Sequence, residues 1–323
     1  MKKNVFIVPY FGKLPKTFPV FLKSCVANTD FEWLIFTDDK TSYEYPPNVK
    51  RILMTFEELK NRVQSKFEFP IRLERPYKLC DYKPAYGLIF EDYLQDYLFW
   101  GHCDIDTVMG KLDDFITEEL LDSYDKLFCL GHMILYRNTY ENNRAFMTET
   151  NGRYLYKESF TTDKITVFDE TYGGRDNVNT VFLEAGKRVF MADWSVNFKI
   201  LPTSFLRTRF NAEKYAYDIF PNEKNLYVWS KGKLLRYYLE DNEVKAKEEM
   251  YIHFQSRNMR YQPGVLSCSA FKMVPNRYCV LKRDIKTVWD FRIESIFISF
   301  HFFEIKYKRL VKRIKSKPRL VKK

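Results

Sequence analysis

The sequence contains no apolar run of the roughly 18 to 20 residues needed to cross a bilayer as a helix. Its best candidate, IFISFHFF at 296–303, is short and holds a histidine. No leader-like segment precedes the first strand-like run, Val5 to Pro9. The six cysteines (Cys25, Cys80, Cys103, Cys129, Cys268 and Cys279) include no C-x-x-C pair, so reduced thiols in a cytosolic protein are expected. Histidine is scarce, with four in the chain, and no His/Cys cluster has zinc spacing. The first strand is not followed by a Gly-rich phosphate loop, since PYFGKLPK offers only Gly12. Internal repeats are missing, and no low-complexity segment precedes the C-terminal tail.

What is there points to a globular chain. Hydrophobic residues make up 46% and aromatics 18% of 323 residues, enough for one large domain or two modest ones. The net charge of +11 is concentrated rather than spread. Residues 301–323 carry ten Lys/Arg and one Glu; subtracting them from 53 and 42 leaves 43 basic against 41 acidic residues in the first 300. A near-neutral body argues against a nucleic-acid-binding protein.

The first hundred residues alternate as in an α/β sheet. NVFIVPYFG (4–12), FEWLIFTDD (31–39), VKRILM and LFWGHCDID read as strands. TFPVFLKSCVANT and Thr55–Lys66 read as helices, the second capped by Thr55 with Glu58 three residues on. KLCDYKPAYGLIFEDYLQDY (78–97) has helical spacing, with Pro84 near its start. The fold expected is α/β, a mostly parallel nucleotide-binding sheet flanked by helices. In such sheets ligands bind beyond the carboxyl ends of the strands, a rim that receives the PYFG turn, Asp38–Asp39, and Asp104 and Asp106.

The strand-like YLFWGHC stops at two aspartates one residue apart. Two carboxylates delivered to one space beyond a strand end are suitable oxygen ligands for Mg²⁺ or Mn²⁺, which leave positions open for substrate phosphates. A cation held there can neutralise the charge that builds on a diphosphate leaving group. His253 lies in an alternating stretch, Tyr251, His253 and Gln255 against Ile252 and Phe254, and should face opposite to the apolar pair. Asp169 and Glu170 follow ITVF, read as a short strand, and Lys83 can pair with Asp81 or a nearby Glu.

Through KLCDYKPAYG (78–87), FWGHCDIDTVMG (99–110), FDETYGG (168–174) and YIHFQSRNM (251–259), the chain resembles GT-A-type glycosyltransferases, in particular bacterial enzymes that build capsular or other surface polysaccharides. The resemblance covers about residues 4–260. It implies a GT-A-like fold: a nucleotide-sugar-binding part at 1–110, an acceptor-binding part at 111–265, and a C-terminal extension at 266–323. It also implies that Asp104 and Asp106 hold Mn²⁺ or Mg²⁺ against the donor diphosphate, with His253 completing the metal shell. Pro9, Tyr10, Phe11 and Gly12, with Asp38 and Asp39, would receive base and ribose. Asp81 and Lys83 would approach the donor sugar, and Arg257 the phosphates, although Ser256 stands where such enzymes often carry a further base. Asp169 and Glu170 would be the catalytic carboxylates, taking a proton from the acceptor in an inverting enzyme or orienting it in a retaining one. GHMILY (131–136) would form part of the acceptor wall.

From Ile293 onward, apolar residues recur close to the helical period with cations between them, the pattern of a basic amphipathic helix lying on an anionic membrane surface. Deleting the chain beyond about Lys286 should remove it. The reading as a whole is a hexosyltransferase that passes a sugar from a nucleotide-sugar donor, a UDP-sugar by expectation, to a lipid-linked saccharide at the inner face of the cell membrane. Two alternatives stand beside it: a sugar-phosphate nucleotidyltransferase, and a nucleic-acid-binding protein using the tail.

Overall fold

The strand Lys2–Pro9 (β1) is apolar on both sides because both sides are buried. Val5 and Ile7 enter one core cluster, Phe6 and Val8 the other. In the computed structural model, which describes residues 2–297 except 172, 173, 200, 202, 203, 222 and 256, together with 303, 307, 308 and 311, β1 is an inner strand of the principal sheet. Phe31–Thr37 (β2) and Val49–Leu53 (β3) lie on one side of β1, and Tyr97–Cys103 (β4) on the other, all parallel. The helices Phe18–Cys25 (α1) and Phe56–Gln64 (α2) cover opposite faces, α1 in the cluster of Phe6 and Trp33, α2 in that of Val5 and Trp100. The α2 start is as the sequence indicates, with Thr55 and Glu58 forming a reciprocal capping box.

Five further strands run through Thr107–Met109 (β5), Lys126–Leu127 (β6), Met133–Arg137 (β7), Val189–Phe190 (β8) and Ser195–Lys199 (β9). Next come Leu206–Asn211 (β10), Ala216–Phe220 (β11), Leu226–Ser230 (β12), Lys233–Glu240 (β13), Glu243–Glu249 (β14) and Tyr251–His253 (β15). Arg260–Tyr261 (β16), Ala270–Val274 (β17) and Arg277–Val280 (β18) complete the set. Among the described residues three sheets form, with orders β3-β2-β1-β4-β7-β6-β8, β11-β10-β9-β15-β5 and β14-β13-β12-β17-β18-β16. The architecture is mixed α/β. In the principal sheet β7 runs antiparallel to both β4 and β6, and β6 and β8 then pair parallel. The principal sheet takes strands from both sides of residue 110, and the six-stranded sheet from both sides of 265, so neither expected division falls between sheets.

One feature of the order positions the site. β1 turns to β2 on one side, yet its other neighbour, β4, arrives some 90 residues later, so connections diverge between β1 and β4 and leave a crevice beyond their carboxyl ends. The β4–β7 contact is close at Gly101, where a Cβ would lie 2.2 Å from the Ile134 carbonyl oxygen.

Two local expectations are corrected. Residues 78–97 do not make one helix: short turns run from Pro76 to Tyr93, because Pro84 has no N–H to donate and its ring disfavours the preceding helical turn. ITVF (165–168) is loop, not strand, its amides at Thr166 and Phe168 donating to the Asp81 carboxylate. The region after Lys286 is also partly built into the body. Helix Val288–Glu294 buries Phe291 against Leu226, Val228 and Ile285, and Lys272 pairs with buried Glu294 at 2.8 Å. Ending the chain near Lys286 would strip that packing, so a clean removal of the tail begins after Phe297. Residues 303, 307, 308 and 311 are helical, with Phe303 and Tyr307 exposed; the rest of the expected amphipathic helix beyond 297 lies outside the described residues.

Gly101→Ala is expected to force β4 and β7 apart and to cost about 1–3 kcal/mol, the range for overpacking a filled interior. Equilibrium denaturation of the variant against the parent measures it, and an unchanged midpoint would show that the contact is not tight.

Candidate metal centre

The backbone just past β4 is pinned before any side chain is considered. The Asp104 amide donates to the His132 carbonyl at 3.0 Å, the Thr107 hydroxyl donates to the Asp104 carbonyl at 2.7 Å, and the Phe254 amide donates to the Asp106 carbonyl at 3.0 Å. β15 then runs between β5 and β9, and its register sets His253 opposite Thr107 on one side and Asn197 on the other. Strand pairing alone therefore brings a residue near 250 to two residues near 105. His253 Nε2 lies 3.4 Å from Asp106 Oδ1 and 3.7 Å from Asp104 Oδ2. One ligand atom from each of the three falls within 4.8 Å of the others.

The aspartates are partly open to solvent, 35% and 24%, while His253 is 12% exposed. Two carboxylates and one imidazole make an oxygen-rich donor set with nitrogen as a minority partner, which fits a divalent cation that keeps further positions for other ligands. Burial opposes a proton on His253, but the hydrogen bond to Asp106 and the charges of Asp106 and Asp104 prevail and raise its pKa above the ordinary value. The proton there marks where positive charge is favoured.

Beside the cluster, Lys83 Nζ donates to Asp104 Oδ1 at 2.9 Å and to the Gly131 carbonyl at 2.8 Å, and lies 3.5 Å from Asp169 Oδ2. Burial alone would lower the Lys83 pKa; Asp104 and Asp169 more than reverse this and hold it cationic. Glu170 accepts from the Gly131 amide at 2.9 Å. A Cβ at Gly131 would sit 2.3 Å from Asp169 Oδ2, so a side chain there would push the Asp169 carboxylate from its place. Asp169 is 4% exposed, and burial pushes its pKa up to about 8; Lys83 opposes this, while Glu170, Asp81 and Asp104 add to it. Of the residues expected at the site, Asp104, Asp106, His253, Lys83, Asp169 and Glu170 are brought together.

Others are placed differently. Asp81, expected to approach a donor, is fully buried: it pairs with Lys78 at 2.7 Å and accepts from the amides of Thr166 and Phe168, so it anchors the 164–168 loop instead. Arg257 stacks on Phe205 and donates to the carbonyls of Leu201 and Lys199, which commits its terminal nitrogens to main chain. Asp38 accepts from the Gly12 amide at 2.7 Å; Asp39 accepts from the Leu14 amide and from the amide and hydroxyl of Thr41, and the Thr41 hydrogen bond leads in lowering its pKa. Both acids brace the 9–14 turn. There Gly12 takes φ +87° and Phe11 packs edge-on to Phe56. Pro9 and Tyr10 are half-buried at the end of β1, and the Tyr10 pKa is raised by burial and by the charge of Asp106, which places this ring on the cluster's side of the turn. GHMILY is buried throughout, with 133–136 inside β7, so it does not present an acceptor wall.

Several residues behind the cluster had no sequence signal. Asn197 is fully buried and lies 3.1 Å from both His253 Nδ1 and His132 Nε2, and its amide donates to Ser195 Oγ at 2.8 Å. His132 Nδ1 is 2.8 Å from the Tyr251 hydroxyl. An Asn and a Ser two apart in a strand are too common to be singled out without the neighbouring strand.

The Asp169 pKa has a consequence for stability. Its folded value lies above the unfolded value of about 3.9, so the folded chain keeps a proton that the unfolded chain has released. Stability linked to that proton is present at acid pH and is lost as pH rises toward about 8. Asp169→Asn removes this loss, so its Tm relative to the parent should rise by roughly 2–6 °C between pH 5 and pH 8. Thermal denaturation across that range checks it, and a constant difference would contradict the assignment.

No curated protein matches the chain. A model described as a family of unknown function, DUF6625, matches residues 6–282, a span that includes Lys83, Asp104, Asp106, Asp169, Glu170 and His253. By that match the chain belongs to the DUF6625 family.

Proposed function

We propose that the chain is a metal-dependent glycosyltransferase of GT-A-like organisation, transferring a sugar from a nucleotide-sugar donor, a UDP-sugar by preference, to a saccharide acceptor. The observation that carries this reading is the Asp104–Asp106–His253 cluster at the carboxyl end of β4, beside the crevice between β1 and β4. The motif order along the sequence supports it as well. A bound Mn²⁺ or Mg²⁺ would supply Lewis-acid charge neutralisation for a departing diphosphate.

The chain's own groups divide the remaining work. Asp104 and Asp106 supply carboxylate oxygens and His253 its Nε2. Lys83, held between Asp104 and Asp169, keeps the acids compact and adds fixed positive charge at the rim. Asp169, in the ionised form that grows as pH approaches about 8, is the group suited to accept a proton from an attacking hydroxyl, and Glu170 is held against Gly131 to orient it. Tyr10, at the end of β1, closes the donor side.

The cationic tail extends the reading to a lipid-linked acceptor of polysaccharide biosynthesis, met by a peripheral protein on an anionic membrane surface. Among the described residues no helix is long and apolar enough to cross a membrane. Ten cations in residues 301–323, with near-surface contributions of about 1 kcal/mol each, suffice to hold a neutral body at such a surface.

A thermal-shift screen of nucleotide sugars with and without Mn²⁺ tests the catalytic reading, since a ligand of the native state raises Tm. One nucleotide sugar should stabilise the chain in Mn²⁺ and not in EDTA. Asp104→Asn and Asp106→Asn should each lower sugar transfer at least ~100-fold with little change in Tm. Release of pyrophosphate from a nucleoside triphosphate and a sugar phosphate would instead assign a nucleotidyltransferase. The full chain should sediment with vesicles containing anionic lipid, and a chain ending after Phe297 should not; equal behaviour of the two removes the membrane assignment.

A further inference from the structure

The ring of His253 can face a cation correctly in only one of its two neutral tautomers. Nε2 points at Asp104 and Asp106, so it must carry the lone pair, and the proton must sit on Nδ1. Nδ1 lies 3.1 Å from Asn197 Oδ1. What decides that Asn197 presents its oxygen there, rather than its amide nitrogen, is a chain of buried hydrogen bonds leading away from the rim.

The chain begins at Asp193, which is 6% exposed. Its carboxylate accepts from the Ser195 amide at 2.9 Å and the Phe210 amide at 2.8 Å, and also from the Ser195 hydroxyl. Burial raises its pKa, and the three donors that converge on it oppose that shift and favour the ionised carboxylate. With its proton given to Asp193, Ser195 Oγ can only accept from Asn197, and it does so from Nδ2 at 2.8 Å. The same Nδ2 faces His132 Nε2 at 3.1 Å, which must then accept, leaving the His132 Nδ1 proton for the Tyr251 hydroxyl at 2.8 Å. With both amide hydrogens used, Asn197 has only Oδ1 left for His253. A flipped amide would set Oδ1 against Ser195 Oγ, whose proton is given to Asp193, and so lose the hydrogen bond made there, at the cost of an unmade buried hydrogen bond.

We propose that Asn197 is the positioning residue of the metal centre: through the Asp193–Ser195–Asn197 chain it fixes His253 in the Nδ1–H tautomer with Nε2 directed at the cation. This rests on the reading of Asp104, Asp106 and His253 as metal ligands, but its observable is the protonation of the ring rather than sugar transfer. Asn197 does not itself touch the ion. Ligating histidines are generally oriented by such a partner, and loss of the partner costs about 10–100-fold in metal affinity.

The test has two arms. In the first, the full-length protein is labelled with ¹⁵N-histidine, and two-bond ¹H–¹⁵N correlations are recorded with Mg²⁺, which is diamagnetic, because without a cation Nε2 would keep a proton toward Asp106. Four histidines make assignment by single substitution practical. The His253 ring should show a protonated Nδ1 and a bare Nε2. At the same Mg²⁺ concentration Asn197→Ala should shift the ring toward Nε2–H. In the second arm, Mn²⁺ affinity is measured by electron paramagnetic resonance titration. Asn197→Ala should weaken binding about 10–100-fold. Asn197→Asp, which keeps an acceptor for Nδ1–H, should recover most of it. A bare Nδ1 in the parent overturns the proposal, as does unchanged Mn²⁺ affinity in an Asn197→Ala chain whose near-ultraviolet circular dichroism matches the parent. If the parent binds neither Mn²⁺ nor Mg²⁺, the metal reading fails; if it binds them with Nδ1 bare, the role of Asn197 fails and the metal reading stands.

Discussion

The site exists because a three-residue strand, Tyr251–His253, fits between Thr107–Met109 and Ser195–Lys199. Ile252 enters the core cluster with Val108 and Val196, and Tyr251 enters the cluster beneath the principal sheet, so each neighbour of His253 is fixed by apolar burial. A shift of one residue would exchange the faces and turn the imidazole into the core. Core packing thus sets the position of a polar ligand, and segments near residues 105, 197 and 253 meet with little freedom to adjust.

Charge balance is the second constraint. Asp104, Asp106, Asp169 and Glu170 converge on one rim, with Lys83 a cation set against them and His253 beside Asp104 and Asp106. Lys83 reaches two of the acids and a main-chain carbonyl, which explains why a buried lysine stays charged. Asp169, the most enclosed acid, answers by holding its proton more tightly. A rim of this kind gains from further positive charge. That places the cation-binding tendency in the collective arrangement rather than in any single carboxylate.

The distribution of the other charged residues shows why motif position alone misplaces roles. Asp81 and Lys83 are two apart on one segment, yet Asp81 faces inward to Lys78 and the 164–168 loop while Lys83 reaches the rim. Around Pro84 the chain advances by short irregular turns, so helical spacing does not report which side each residue faces. Arg257 has the same difficulty: a cation next to a ligand in sequence finds nearer acceptors in the main chain of its own neighbourhood.

Much was legible beforehand because it follows from local rules. Apolar runs that stop at a turn or at acids marked β1, β2 and β4, Thr55 and Glu58 marked the start of α2, and the abrupt change from Trp100–Cys103 to Asp104 and Asp106 marked a strand delivering acids to a rim. The alternation at 251–254 also indicated which way His253 faces. Contacts between segments far apart in sequence were not legible: the pairing of β15 with both β5 and β9, Lys83 shared between Asp104 and Asp169, and Asn197 behind His253. Periodicity and capping are properties of a few consecutive residues and survive in any fold. Which strand lies beside which, and where a buried donor finds its acceptor, is settled only when the whole core closes.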